Sequence, residues 1–233
     1  MSAKPGKFPA AMIALLLWAA AARADDAGAE RLYAWPDSFA ARVEALALLQ
    51  TLNAELLSHD SATATLERWC DAHRLATPPR IVAQRVPGAE QPASEALRRE
   101  LGATSGETVR YRHVKLMCGT VLLSEADNWY LPARLTPEMN RQLDTSDAPF
   151  GRVVQALHFQ RHTISAQLLW WPLPSGWEMH PDAAARGAGE LRMPAAVLQH
   201  RALLALPDGT PFSEVVETYS ANVLAFPAPQ AAR

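Results

Sequence analysis

Residues Val109 to Cys118 alternate as an extended strand with one apolar side does, and that apolar side carries an arginine. Successive side chains on a strand point to opposite faces. Val109, Tyr111, His113, Lys115 and Met117 therefore share one face, and Arg110, Arg112, Val114, Leu116 and Cys118 share the other. A guanidinium keeps its proton in a protein, and burying it without an anion is costly. Arg112 must meet either a carboxylate of the chain or an acidic ligand.

The surrounding segments supply partners for such a strand. Ser38 to Ser58 reads as an amphipathic helix, with Phe39, Val43, Leu46, Leu49, Leu52 and Leu56 at three- and four-residue steps. Asp60 or Ser61 is placed to cap a second helix carrying Leu66, Trp69 and Cys70 on one side. A short strand is expected over 80–86, and a third helix over 94–101 ended by Gly102. Thr120 to Ala126 would pair with the arginine strand across Gly119. Thr136-Pro137 opens a short helix through Leu143. Phe159 to Trp170 suits a strand, and 172–194, rich in proline, glycine and alanine, suits a long loop. Val197 to Leu206 and Phe212 to Val223, joined through Pro207-Asp208-Gly209, form the clearest hairpin. The tail from Phe226 to Pro229 reads as frayed. Helices first and adjacent strands later predict a single α+β domain over 25–233, one antiparallel β-sheet with helices packed on it.

Residues 1–24 read as a targeting signal. Lys4 and Lys7 precede an apolar run from Ala10 to Ala22, and Ala22-Arg23-Ala24 offers a small-residue cleavage site. An exported protein, periplasmic or secreted and cleaved after Ala24, is expected; the alternative is an uncleaved amphipathic anchor. The run falls short of the roughly 20 residues a spanning helix needs, so no membrane span is expected. Loss of Lys4, Lys7 and Arg23 would take the formal charge from −2 to −5. With no basic run or patch, nucleic-acid binding has no electrostatic footprint. Cys70 and Cys118 are the only cysteines, and they form either one disulfide or a pair of buried thiols.

Four blocks resemble the chorismate lyase family and, more broadly, the related UTRA-type ligand-binding domains of some transcription regulators. Leu56-Leu57-Ser58-His59-Asp60-Ser61-Ala62-Thr63 resembles the family's helix–Asp-Ser-x-Thr–helix element. Arg112 through Gly119 resembles its arginine-bearing strand, and Pro149-Phe150-Gly151-Arg152 its Pro-Leu-Gly-Arg turn. Asp208-Gly209-Thr210-Pro211 followed by Glu217 resembles its last hairpin; Glu217 stands one residue further from Pro211, which calls for a bulge between them. The resemblance implies an α+β fold and a lyase, free of metal and organic cofactor, that eliminates pyruvate from chorismate or a related carboxylated enol ether to give 4-hydroxybenzoate. It implies that Arg112 holds the ring carboxylate, that Glu217 meets the ring hydroxyl and moves protons, and that Ala62, Phe150 and Gly151 line the pocket. The expected partner is a small carboxylated aromatic or pre-aromatic molecule, and the expected state a monomer.

Each assignment has a rival. A non-catalytic ligand-binding module of the same fold needs the same arginine without turnover, and a purely structural exported protein needs neither. Arg112 and Glu217 would then form an internal salt bridge across the sheet. Glu214 competes for the carboxylate role, but its parity puts it on the opposite face from Glu217, which shares its side with Val215 and Tyr219. His158 and His162 would share a strand face, without a third ligand at a sensible spacing. Ser165, Ser213 and Ser220 lack a nucleophile-elbow context. Trp170, Trp171 and Trp177 suit a carbohydrate- or aromatic-binding surface, or equally core packing and a hydrophobic rim.

Overall fold

The C-terminal hairpin sits at the centre of the sheet rather than at its margin. In the computed structural model, which describes residues 34–179 and 189–229, six strands lie in the order β1-β2-β3-β6-β5-β4. They are β1 (Ile81–Arg85), β2 (Arg110–Cys118), β3 (Val121–Tyr130), β4 (Gln160–Leu168), β5 (Ala196–Ala205) and β6 (Pro211–Ser220). Every neighbouring pair is antiparallel, so the fold is α+β with one antiparallel sheet. The leader expected over 1–24 lies outside the described residues, as does 180–188 of the long loop. Among the described residues no helix is long and apolar enough to cross a membrane.

Local signals account for most elements. Ser38 caps α1 (Phe39–Leu57), Ser61 caps α2 (Ala62–Ala72), Ser94 caps α3 (Glu95–Glu100) and Thr136 caps α4 (Pro137–Thr145). In each case a hydroxyl accepts a first-turn N–H that the helix itself cannot satisfy. Pro149-Phe150-Gly151-Arg152 starts a single helical turn, α5 (Phe150–Val153). Gly119 joins β2 to β3 at φ +58, where a Cβ would come within 2.7 Å of the Ala76 Cβ. Only glycine meets both demands.

Two layers cover the sheet. α1 and α2 pack on the face that carries Val114, Leu116 and Cys118, in a cluster with Trp35, Leu49, Leu52, Leu56, Leu66 and Tyr219. α3 closes a smaller cluster on the other face through Leu97, Leu101, Trp129 and Leu131. A disulfide joins Cys70 of α2 to Cys118 at the end of β2, with Cα atoms 6.4 Å apart, which decides between the two readings of the cysteines.

Several expectations are corrected. The buried stripe of α1 is Ala41, Ala45, Leu49, Leu52 and Leu56, while Phe39, Val43 and Leu46 are half-buried. Small alanines bring the helix axis close to the sheet, and Phe39 instead meets the Trp177 ring at 5.9 Å. β3 runs on past Ala126 to Tyr130 because β6 pairs with its second half, from Ser124↔Tyr219 to Tyr130↔Ser213. Phe226 is buried and stacks on His73, while its carbonyl accepts from Trp35 Nε1 at 2.9 Å, so the tail is docked there. The long loop ends in ordered pairing, with Asp37 N donating to Gly189 O and Leu191 N to Trp35 O. His158 lies outside β4 in a left-handed conformation, φ 51, and shares no strand with His162. The bulge falls as expected: β5 pairs Leu204 with Ser213 and Ala205 with Pro211, leaving Phe212 as the extra residue.

Candidate functional site

Antiparallel register brings charges from four strands to the helix-covered face. Arg112 stands opposite Asn128, and Asn128 opposite Val215. One row along, Val114, Ala126, Glu217 and His200 lie side by side. Arg161 of β4 lies opposite Leu204 on the same face. Over this floor sit the start of α2 and the turn of α5, close enough that a Cβ on Gly151 would lie 3.3 Å from both Ser61 Oγ and Thr63 Oγ1. The result is an inner cavity of about 40 Å³ whose walls include Ala62, Arg112, Phe150, Gly151, Arg161 and Glu217. All five residues expected at a site (Arg112, Glu217, Phe150, Ala62 and Gly151) line it.

The charges pair differently from the expected cross-sheet bridge. Glu217 is held by Arg161, not Arg112: Arg161 Nη2 donates to its Oε2 at 2.6 Å, and both side chains are nearly inaccessible. The Tyr219 hydroxyl donates to the same oxygen at 3.1 Å. Burial lowers the Arg161 pKa, but the charge and hydrogen bond of Glu217, with Tyr219 and Asp60, together outweigh it and the net direction is up. Burial, with the Glu217 charge adding to it, holds the Tyr219 phenol well above its usual range. His200, fully buried against Tyr219, bonds through Nε2 to Asn53 Oδ1 at 2.8 Å. Burial, aided by Arg161 and opposed by Glu217, brings its pKa to about 4.

Arg112 is the unmatched member. It is 7% exposed, and its Nη2 donates to the Ala148 carbonyl at 3.1 Å. Among the described residues its Nε and Nη1 are buried without a hydrogen-bond partner, as is Asn128 Oδ1 beside it. Burial lowers its pKa, and the charge of Arg85 acts in the same direction against Tyr130 and Asp147. A cation in this state has N–H donors left for an anion.

Arg112 also borders a second, more open space. β1 ends at Arg85 while β2 continues to Arg110, and the gap beside β2 is an outer cleft of about 750 Å³. Tyr111, Tyr130 and Leu143 wall it. Arg110 there is matched by both oxygens of Asp144, at 3.0 and 2.9 Å.

The alternation of 159–170 contained a signal for Arg161, which shares parity with the buried Phe159. Glu214 lies on the opposite face from Glu217, as its parity requires, and accepts from Arg201 at 2.6 Å. Among the described residues no group of three or more His, Cys, Asp and Glu is placed to hold a metal ion.

Comparison with solved structures finds partial likenesses among bacterial transcription regulators and their ligand-binding domains. PhnF from Mycobacterium smegmatis is 15% identical, with a TM-score of 0.44 over 75% of this chain and 70% of that one. The effector-binding domain of the Bacillus subtilis trehalose repressor is 12% identical, with a TM-score of 0.35 over 65% of this chain and 97% of that one. No protein-family model matches. The uncharacterized protein y4mC of Sinorhizobium fredii is 56% identical over 196 residues, covering 84% of this chain and 83% of that protein. The chain belongs to the family of that protein.

Proposed function

We propose that this protein is an exported ligand-binding protein that holds a small carboxylated molecule through Arg112, without turning it over. One observation carries the reading: a guanidinium 7% exposed, with two N–H positions unpartnered and no carboxylate paired with it among the described residues. A guanidinium makes charge-assisted hydrogen bonds to carboxylates, and the N–H groups on Nε and Nη1 remain free to make them. The disulfide between Cys70 and Cys118 supports an exported address, since such bonds persist in oxidising compartments. A mature N-terminus at Asp25 in the periplasmic or secreted fraction would bear this out, and an intact leader on cytoplasmic protein would refute it.

Calorimetric titration with 4-hydroxybenzoate tests the site. Saturable binding is expected, weakened at least about 30-fold by Arg112→Ala, the low end of what losing one partner of a buried charge pair costs. No saturation, or equal binding by the variant, sinks the proposal.

A second reading is the lyase itself, favoured by the presence of Arg112 and Glu217 in one cavity wall. It requires Glu217 to handle a proton. That carboxylate is committed to Arg161 and Tyr219, and a proton placed on it would strip a buried cation of its counter-charge. Release of pyruvate from chorismate above the buffer rate, abolished by Glu217→Gln in a folded protein, would reverse this preference.

A further inference from the structure

The two spaces on either side of Arg112 differ nearly twentyfold in size, about 40 against about 750 Å³. Water's share of liquid volume is about 30 Å³ per molecule, so the inner cavity holds little more than one or two waters. Drug-sized ligands occupy pockets of about 300–1,000 Å³. The inner cavity is also pinned. Its roof meets its floor through the Cys70–Cys118 disulfide, and Gly151 lies against two hydroxyls of the α2 start. The Arg161–Glu217 pair closes its far side with its charges already matched.

The outer cleft has the opposite character. Arg110 is neutralised there by Asp144, whereas neither Arg85 nor Arg112 takes part in an ion pair among the described residues. Arg85 does donate to the backbone carbonyl of Asp144, which fixes its direction without cancelling its charge. Two unmatched guanidinium groups thus face one further carboxylate, Asp147. The remaining walls include the apolar and aromatic Val86, Pro87, Tyr111, Tyr130 and Leu143, with the polar Gln84 and His113 beside them.

Resting on the anion-anchor reading above, we propose that the ligand's body lies in this outer cleft and that only its acid group reaches inward to Arg112. The ligand class is then an organic acid with an apolar or aromatic body longer than a single ring, its carboxylate on Arg112 with Arg85 nearby. The inner cavity contributes the electrostatic floor beneath the acid group rather than room for a ring.

The test compares benzoate with biphenyl-4-carboxylate, titrated into the full protein and four variants whose folding is checked by thermal melting. Gln84→Trp and Ala89→Trp fill the outer cleft from its exposed rim; Ala126→Val and Val215→Ile fill the inner cavity. The expected result is that the biphenyl acid binds at least tenfold more tightly than benzoate. The outer variants should weaken it tenfold or more, and the inner ones change it less than twofold. Loss of binding in the inner variants with full retention in the outer ones would overturn this placement and leave the anion-anchor reading standing. If neither acid saturates the native protein, that reading fails and this one with it.

Discussion

Arg112 and Arg161 are both nearly buried arginines on one face of one sheet, yet their energetics have opposite signs. Arg161 has its counter-charge at 2.6 Å, and Arg112 has, among the described residues, only a backbone carbonyl. Removing one partner of a buried pair typically costs about 3–5 kcal/mol, because the other charge is stranded. Glu217→Gln should therefore destabilise the fold by about that amount in urea melts. Arg112→Met removes an unmatched cation and fills the same volume with methylenes, so it should raise stability by on the order of 1 kcal/mol while abolishing anion binding. If Arg112→Met instead costs as much as Glu217→Gln, the arginine is satisfied and the site has been misread.

His200 adds a pH term at the same scale. Its pKa in the fold is about 4, against 6.5 for an unperturbed imidazole. The unfolded chain thus binds a proton that the native state refuses. Stability from this group is complete above pH 6.5 and is lost as pH falls from 6.5 toward 4. The slope is about 1.4 kcal/mol per unit, and the total about 3 kcal/mol. His200→Gln keeps a donor for Asn53 and removes the titration. Chemical denaturation at a series of pH values should show a shallower dependence for the variant in that window and the same dependence above it.

Between elements, the disulfide performs the longest-range local task. It ties α2, whose first turn roofs the inner cavity, to β2, which carries Arg112 in its floor. A 48-residue loop closed in this way constrains the unfolded chain by about 4 kcal/mol on the chain-entropy estimate. The Cys70→Ala/Cys118→Ala double variant should lose a stability of that order, and the wild type should respond to reductant likewise. A loss below about 1 kcal/mol would mean that α2 is held by packing alone. Hydroxyl caps act within single segments instead, with Ser38, Ser61, Ser94 and Thr136 each satisfying a first-turn N–H of its own helix.

For the whole molecule, what was legible in the sequence follows the range over which its causes act. Alternation over Val109–Cys118 placed Arg112 on the buried face, because a strand's period is a property of adjacent residues. The caps, Gly102 after α3 and the hairpin at Asp208-Gly209 are local in the same sense, whereas the bulge before Glu217 was expected only from the resemblance. So is the opposition of Glu214 and Glu217 across the sheet. The pairing of charges is not. Arg161 and Glu217 are 56 residues apart, and they meet only because β4 and β6 lie in one sheet with β5 between them. Nor does any short segment specify the inner cavity, whose walls come from α2, α5 and five strands and meet where Gly151 lies against Ser61 and Thr63. Chain chemistry alone therefore determined an α+β sheet with a cation turned toward its core. Tertiary packing decided that this cation has no carboxylate partner among the described residues, that its neighbour does, and that the larger space lies on its outer side.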